Sequence, residues 1–409
     1  MKLLAFFLLS LTSLFAEIEV SGHLDLDSEF YLTKNSGRDS NSFTAKQTLE
    51  LKYTQDAWSI YTKLYAQEAY NDLLKESEKT KRTFARLDEL FLKYDGEDDS
   101  FALGKSIKFW GSLELRNIVD GFNPNELRDD MFSVNKLGVY NASYSHFSDN
   151  GEVSLILKLH EQDLKMAQYP YMYYPFPQYP QPISYEKNLQ TTKSQNRPSV
   201  YLKYSASSDT EYALDYAFIY ENGYDSQRYF TASFNQPSKY VQNAYLVHKF
   251  MTYNTLVIDT TLIKLEALYA DVQSGVGVGD YSHIAFGVEH TIEHESGTSL
   301  GLIAEYYKYD TYESDKLDDL QLYETMQDDL FLGLRYVLND ADDTSLVGGV
   351  VADLEYNEQT YYAKYESRFG SSIKVECDYY YIEPSKKAQT AYTLLGRHQR
   401  VGVNIAYHF

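Results

Sequence analysis

The strongest constraint on this chain is a period-two alternation of apolar and polar residues, repeated in segments of about ten. Leu300, Leu302, Ala304 and Tyr306 alternate with Ser299, Gly301, Ile303 and Glu305. Ile284, Phe286, Val288 and Ile292 alternate with His283, Ala285, Gly287 and Glu289. Trp58, Ile60, Leu64 and Ala66 oppose Ser59, Tyr61 and Lys63. Successive side chains of a strand point to opposite faces, so each segment reads as a strand with one apolar and one polar face. Phe84 to Tyr94 changes phase, as a bulge would make it. Beyond the first residues, no apolar run reaches the ~20 residues a membrane helix needs.

A soluble antiparallel sheet or a solenoid has the same pattern, but three features favour a membrane barrel. Short turns alternate with long polar loops, as they do around outer-membrane barrels. Tyr, of which there are 41, recurs near strand ends, where a ring with a polar tip suits the lipid–water boundary. The chain ends in an amphipathic strand, with Val401, Val403, Ile405, Tyr407 and Phe409 for lipid and Gly402, Asn404, Ala406 and His408 for the lumen. The fold class expected is therefore all-β, a transmembrane antiparallel β-barrel of about 18 strands, within a range of 16–18. A mean hydropathy of -0.46 is compatible, because only every second strand residue faces lipid. With both termini periplasmic, the even joins are the tight turns, such as Gln55-Asp56, Asp149-Asn150-Gly151 and Asp259-Thr260. The long connections are odd joins, and a further strand pair fits within 224–245.

The N-terminus carries Lys2, an apolar run from Leu3 to Leu11, and Ala16 before the charged start Glu17-Ile18-Glu19. This is the anatomy of a secretory signal peptide cleaved after Ala16. The organisation expected is residues 1–16 as signal peptide and 17–409 as a single barrel domain, with inward or capping loops near 109–133 and 161–197. The expected location is the outer membrane of a Gram-negative cell. The formal net charge of -22 argues against nucleic-acid binding, which needs a cationic surface. A single Cys excludes an internal disulfide.

The segment 102–128 contains Leu103-Gly104-Lys105, Trp110-Gly111 and Asp120-Gly121-Phe122-Asn123-Pro124. This succession, after Arg86-Leu87-Asp88-Glu89-Leu90, resembles a proteobacterial outer-membrane β-barrel family related to the alginate-export porins. The resemblance implies a barrel in the outer membrane. Family members commonly carry Arg-Gln after the Leu-Gly, where this chain has Lys105-Ser106.

A loop that follows the fifth strand and folds inward would narrow the pore. The constriction candidates are Lys105, Lys108, Trp110, Glu114, Arg116, Asp120, Asn123 and Glu126. Opposed charges across a narrowed lumen set a transverse field and a preference among solutes. The alternative is that Trp110-Gly111 and Asn123-Pro124 are folding devices. The run from Tyr169 to Pro182 is rich in Tyr and Pro, so Tyr171, Tyr173, Tyr174, Phe176 and Tyr179 are candidates for stacking on a ligand, or for packing as a lid. The acidic loop 310–329 reads as a solvated rim, because its spacing is not that of a calcium loop.

No nucleophile, base and orienting acid set is recognisable, so no catalytic residue, metal ligand or cofactor is expected and the chain reads as a non-enzyme. The function expected is passive transport of small polar solutes or ions, with a tilt towards cations. A structural or ligand-binding barrel closed by its loops is the alternative, and an outer-membrane enzyme the third reading. Expected partners are outer-membrane lipid and lipopolysaccharide, the barrel assembly machinery, and the transported solutes. The pattern leaves the oligomeric state open.

Overall fold

The alternating segments become the strands of one closed 18-stranded sheet. The first nine strands are β1 (Ile18–Tyr31), β2 (Asn41–Gln55), β3 (Trp58–Ala69), β4 (Phe84–Asp95), β5 (Asp99–Ser106), β6 (Val139–Ser148), β7 (Gly151–Lys158), β8 (Ser199–Asp209) and β9 (Ala213–Tyr224). The second nine are β10 (Leu246–Ile258), β11 (Thr261–Val272), β12 (Tyr281–Glu293), β13 (Ser299–Thr311), β14 (Asp328–Val337), β15 (Ser345–Asp353), β16 (Gln359–Phe369), β17 (Ile373–Glu383) and β18 (His398–His408). The structure, a computed structural model, describes residues 18–33, 38–74, 80–128, 132, 135–176, 184–209, 212–233, 239–273, 277–312 and 324–409. The expected leader 1–16, Tyr179 and most of the acidic loop, 313–323, lie outside these residues.

Every strand pairs antiparallel with its neighbour in sequence, and β18 returns to β1 from Tyr31↔Arg400 to His23↔His408. Gly22 and Phe409 extend the seam by exchanging backbone hydrogen bonds of 3.1 and 3.0 Å. Closure is what lipid demands, since an open edge would leave N–H and C=O groups unpaired in hydrocarbon. The phase change in β4 is a bulge: Lys63 faces Glu89 while Leu64 faces Leu87, so Asp88 is the additional residue.

The tight turns gather at one end, where Asp56, Asp259 and Asn339 adopt φ near 50°, a conformation that Asn and Asp tolerate better than most residues. The long connections gather at the other end. Two of them pair above the wall: Ser184–Thr191 runs parallel to Lys239–Ala244, which is antiparallel to Tyr229–Ala232. The strand pair fitted to 224–245 is thus real but belongs to this cap, because its residues pair with loop and not with the barrel.

The outer face carries the exposed large apolar residues, among them Leu26, Trp58, Phe218, Phe250, Ile284, Leu302, Leu332 and Ile405. The inner face is of two kinds. From β8 to β15 it is rich in apolar and aromatic groups such as Tyr201, Ile219, Met251, Leu268, Ala285 and Phe331, all buried. From β16 through β18 to β3 it is a lattice of charged side chains. An apolar lumen wall is stable in water only when something covers it.

Candidate pore constriction

The cover is the connection between β5 and β6, residues 107–138, through its described residues 107–128. It leaves the long-loop end of the barrel, turns inward and lies against the apolar wall. Trp110, Val119 and Phe122 pack with Tyr201, Val247, Met251 and Leu268. Leu113 packs with Ala285, Ile303 and Phe331.

Two wall carboxylates hold the loop backbone. Glu266 on β11 accepts N–H bonds from Ser112 (2.7 Å) and Leu113 (3.3 Å) on one oxygen, and from Ile118 (2.8 Å) and Val119 (3.3 Å) on the other. Glu305 on β13 accepts from Glu114 (2.7 Å) and Leu115 (3.0 Å), while the Tyr307 hydroxyl donates to it at 2.6 Å. Each bond to a carboxylate is worth about 1.5–3 kcal/mol. Gly111 makes the approach possible: with φ of 109°, a Cβ there would sit 2.5 Å from both the Glu266 Oε1 and the Asn117 Oδ1.

The loop brings some of the candidate residues together and sends others elsewhere. Glu114 reaches across to Arg335 on β14, which also meets Glu289 at 3.2 Å, and Glu289 meets Lys264 at 3.0 Å. This chain of alternating charge faces the lumen. Arg116 pairs with Glu324 and bonds the Thr325 hydroxyl at 3.0 Å. Glu324, read from sequence as part of a solvated rim, is a buried partner of the loop.

Lys108 is mostly buried and forms no ion pair among the described residues; burial, with Lys203 nearby, pulls its ammonium below the usual lysine range. Asp120 pairs with Lys136 within the loop. Burial pushes the Asp120 carboxyl up and the Lys136 ammonium down, each partly offset by the other.

Four candidates are not lumen groups. Trp110 is buried against Phe122 and Tyr201, with ring centroids 5.5 and 5.6 Å apart. Asn123 is a folding device: its amide accepts from Lys108 N (2.8 Å) and donates to the Ser106 and Leu137 carbonyls (3.1 and 2.9 Å). Glu126 is 1% exposed, held between Arg86 (2.7 Å) and Arg128 (2.6 Å).

Lys105, a constriction candidate by sequence, points away from the lumen. It lies opposite Leu90 and Tyr140 in the ladder, both exposed on the outer face. Its ammonium bonds the Leu87 carbonyl beside an outer recess lined by Tyr140, His160 and Asp163. The period of two decides this, since Gly104 takes the inward position and its neighbour must point out.

The described part of the Tyr- and Pro-rich connection, up to Phe176, packs at the long-loop end of the barrel. Tyr171 (1% exposed), Tyr173 (7%), Tyr174 (3%) and Phe176 (7%) are buried. Tyr171 and Tyr173 pack with Tyr31, Ile382 and Leu395, and Tyr174 and Phe176 with Met166, Tyr185 and Tyr240. Their faces are covered by protein, so in this structure they act as packing and not as a ligand-stacking surface.

Sequence reasoning missed Glu266, Glu305 and Arg335. Their signal was available: in β11 the inward positions read Lys264, Glu266, Leu268, Ala270, Val272. An acid among apolar inward residues has to find donors.

On the uncovered wall, charges interlock. Lys364 lies 3.0 Å from Glu376, Lys374 2.9 Å from Glu366, and Lys63 2.9 Å from Glu50. These six side chains keep between 23% and 38% of their surface exposed, so water reaches them inside the barrel. Lys46 pairs with Asp27 at 3.0 Å, and Arg400 with Glu29 at 2.7 Å.

Fold and loop together define an outer-membrane β-barrel whose lumen, among the described residues, is narrowed by an inward connection. No family model matches the chain, and no curated protein does. Solved structures do match. OccAB1 of Acinetobacter baumannii is 9% identical, with 96% of this chain and 97% of that chain covered at a TM-score of 0.57. OccAB4 of the same organism is 11% identical, covering 96% and 98%, with a TM-score of 0.56. OmpT, an outer membrane protein of Vibrio cholerae, is 14% identical over 96% and 97% at a TM-score of 0.47. The Acinetobacter likenesses show that the fold of this chain is that of solved outer-membrane barrels.

Proposed function

We propose that the protein is a passive, non-enzymatic outer-membrane channel for small polar solutes and ions. The observation that carries this reading is the inward charge lattice of β16, β17, β2 and β3, which keeps solvent contact inside a closed barrel. The outer-membrane porins among the structural neighbours support it. Segment 107–138 narrows the path, and the Glu114–Arg335–Glu289–Lys264 chain sets the field there. The formal charge of -22 draws cations towards the mouths. We extend the proposal to a cation preference, weak because the wall charges are paired. The relation to the alginate-export barrels stays part of the proposal and rests on the segment 82–128.

A second reading, a barrel sealed by its loops, draws on the aromatic cluster of Tyr31, Tyr171, Tyr173 and Ile382 at the mouth. Single-channel recording in planar bilayers separates the two. The channel reading expects steady current steps with a reversal potential on the cation side under a KCl gradient. A verified folded barrel with no conductance above the bare bilayer would leave the sealed reading.

A further inference from the structure

At the seam where β18 closes on β1, two histidines face each other inside the barrel. Gly22 and Phe409 exchange both backbone hydrogen bonds. The next pair along the ladder, His23↔His408, is therefore a non-hydrogen-bonded pair, the arrangement that brings antiparallel side chains closest. Their neighbours Leu24 and Tyr407 are exposed on the outer face, so the period of two turns both imidazoles inward. The ring centroids lie 5.4 Å apart, with planes 41° apart. The pair sits towards the tight-turn end, where β1 starts and β18 finishes.

Two imidazoles that share one tetrahedral metal ion, each nitrogen about 2.0–2.1 Å from it, hold their ring centres about 5 Å apart. The seam already sets that separation. His408 Nε2 is buried and has no hydrogen-bond partner among the described residues, a cost that a metal bond would remove. Asp25, two residues along the same inward face, lies 3.4 Å from His23 Nε2. A carboxylate against one ring nitrogen fixes the tautomer that leaves the other nitrogen as an electron-pair donor. The His23 side chain keeps 33% of its surface exposed, so an ion in the lumen reaches it. The cations beside the pair are engaged with acids, Lys46 with Asp27 at 3.0 Å and Lys63 with Glu50 at 2.9 Å, which weakens their repulsion of a dication. Imidazole suits zinc, nickel and copper, whereas magnesium and calcium take oxygen. Among the described residues no group of three His, Cys, Asp or Glu side chains is arranged to hold a metal ion. The site therefore has two protein ligands, and water completes the shell.

We propose that His23 and His408 chelate a divalent transition-metal ion of the zinc, nickel and copper class, with Asp25 as the positioning residue. The bound ion clips β18 to β1 and adds positive charge to the lumen near the tight-turn end. The site stands whether or not the lumen conducts.

The test is calorimetric titration of Zn²⁺ into the tag-free barrel, folded in detergent at neutral pH, with Mg²⁺ as the oxygen-seeking comparison. A Cys377→Ser background removes the free thiol. The expected result is a saturable Zn²⁺ site that Mg²⁺ does not fill. Asp25→Asn should weaken it about 10–100-fold and Asp25→Glu less. His23→Ala and His408→Ala each remove a ligand and should weaken it further, while His160→Ala, at the long-loop end, should leave it unchanged. Where an alanine variant fails to fold, His23→Gln or His408→Gln takes its place. A second readout is stability: Zn²⁺ at about a hundredfold its dissociation constant should favour the folded wild-type barrel about 100-fold. This appears as a raised guanidinium midpoint that neither ligand variant shows. No saturable Zn²⁺ binding in the wild type, wild-type Zn²⁺ affinity in either ligand variant, or an equal response to Mg²⁺ would overturn the site.

Discussion

Replacing Glu266 by Gln tests whether the wall carboxylate holds the constriction. The charged group accepts four backbone N–H groups, two on each oxygen; an amide has one oxygen to offer and turns two donors on whatever faces its nitrogen. In the better orientation the oxygen stays with Ile118 and Val119. Leu113 keeps the Asn117 side chain at 2.8 Å, but Ser112 loses its acceptor and faces another donor. Two charge-assisted bonds disappear, one of them from a donor that Asn117 still satisfies, and two become neutral, which together cost about 3–5 kcal/mol. Taking about 3 kcal/mol, the ratio of seated to unseated loop falls by about 100-fold. The packing of Trp110 and Phe122 still favours the seated state, so the loop should visit a displaced state and not abandon the wall. In planar bilayers this reads as brief excursions to higher conductance. A second readout comes from Trp110, since the chain has only two Trp: in a Trp58→Phe background its emission should shift to the red. A variant with the wild-type current level, wild-type noise and unshifted emission would refute the assignment of Glu266 as anchor.

Arg335→Ala should barely change unfolding, because a pair about a third exposed contributes about 0–1 kcal/mol. It should move the reversal potential towards cations, since Glu114 and Glu289 lose their shared cation, whereas Lys105→Ala, on the outer face, should leave that potential where it was. Asp225, fully buried below the cap, accepts from Lys249 at 2.8 Å and Tyr281 at 2.6 Å; Asp225→Asn should cost about 3–5 kcal/mol in denaturant unfolding by leaving the lysine unpaired. Burial alone would raise that carboxyl, but Lys249 and the hydrogen bonds hold it below the usual carboxylate range. Its contribution is therefore complete above the ordinary value of about 3.9 and fades as pH falls through the lowered one, so amide exchange in 225–233 and 239–245 should quicken only in strong acid. Gly349→Ala puts a Cβ 2.4 Å from the Phe331 ring and 2.8 Å from the Leu332 carbonyl oxygen and should cost about 1–3 kcal/mol in the same unfolding assay.

The barrel itself was legible residue by residue. The alternation through β10, β11 and β16 sets their limits at 246–258, 261–272 and 359–369, because strand period and lipid exposure act on each residue locally. The phase change around Asp88 likewise announces its bulge. The parity of short and long joins placed 109–133 at the long-loop end, though not the direction in which it folds.

That direction belongs to the tertiary structure. Glu266 lies more than 140 positions along the chain from the N–H groups it accepts, and nothing local to either segment names the other. Trp110 and Asn123 could be read as pore residues or as folding devices, and the structure has them as packing and a brace, since burial depends on what the loop meets. Lys105 looked like their neighbour, yet one step of the strand's period put it outside. The local strand period and the parity of the joins thus determine that this sequence forms an outer-membrane barrel. Which charges face the water inside it is decided by the path of one loop, whose contacts exist only once the sheet has closed.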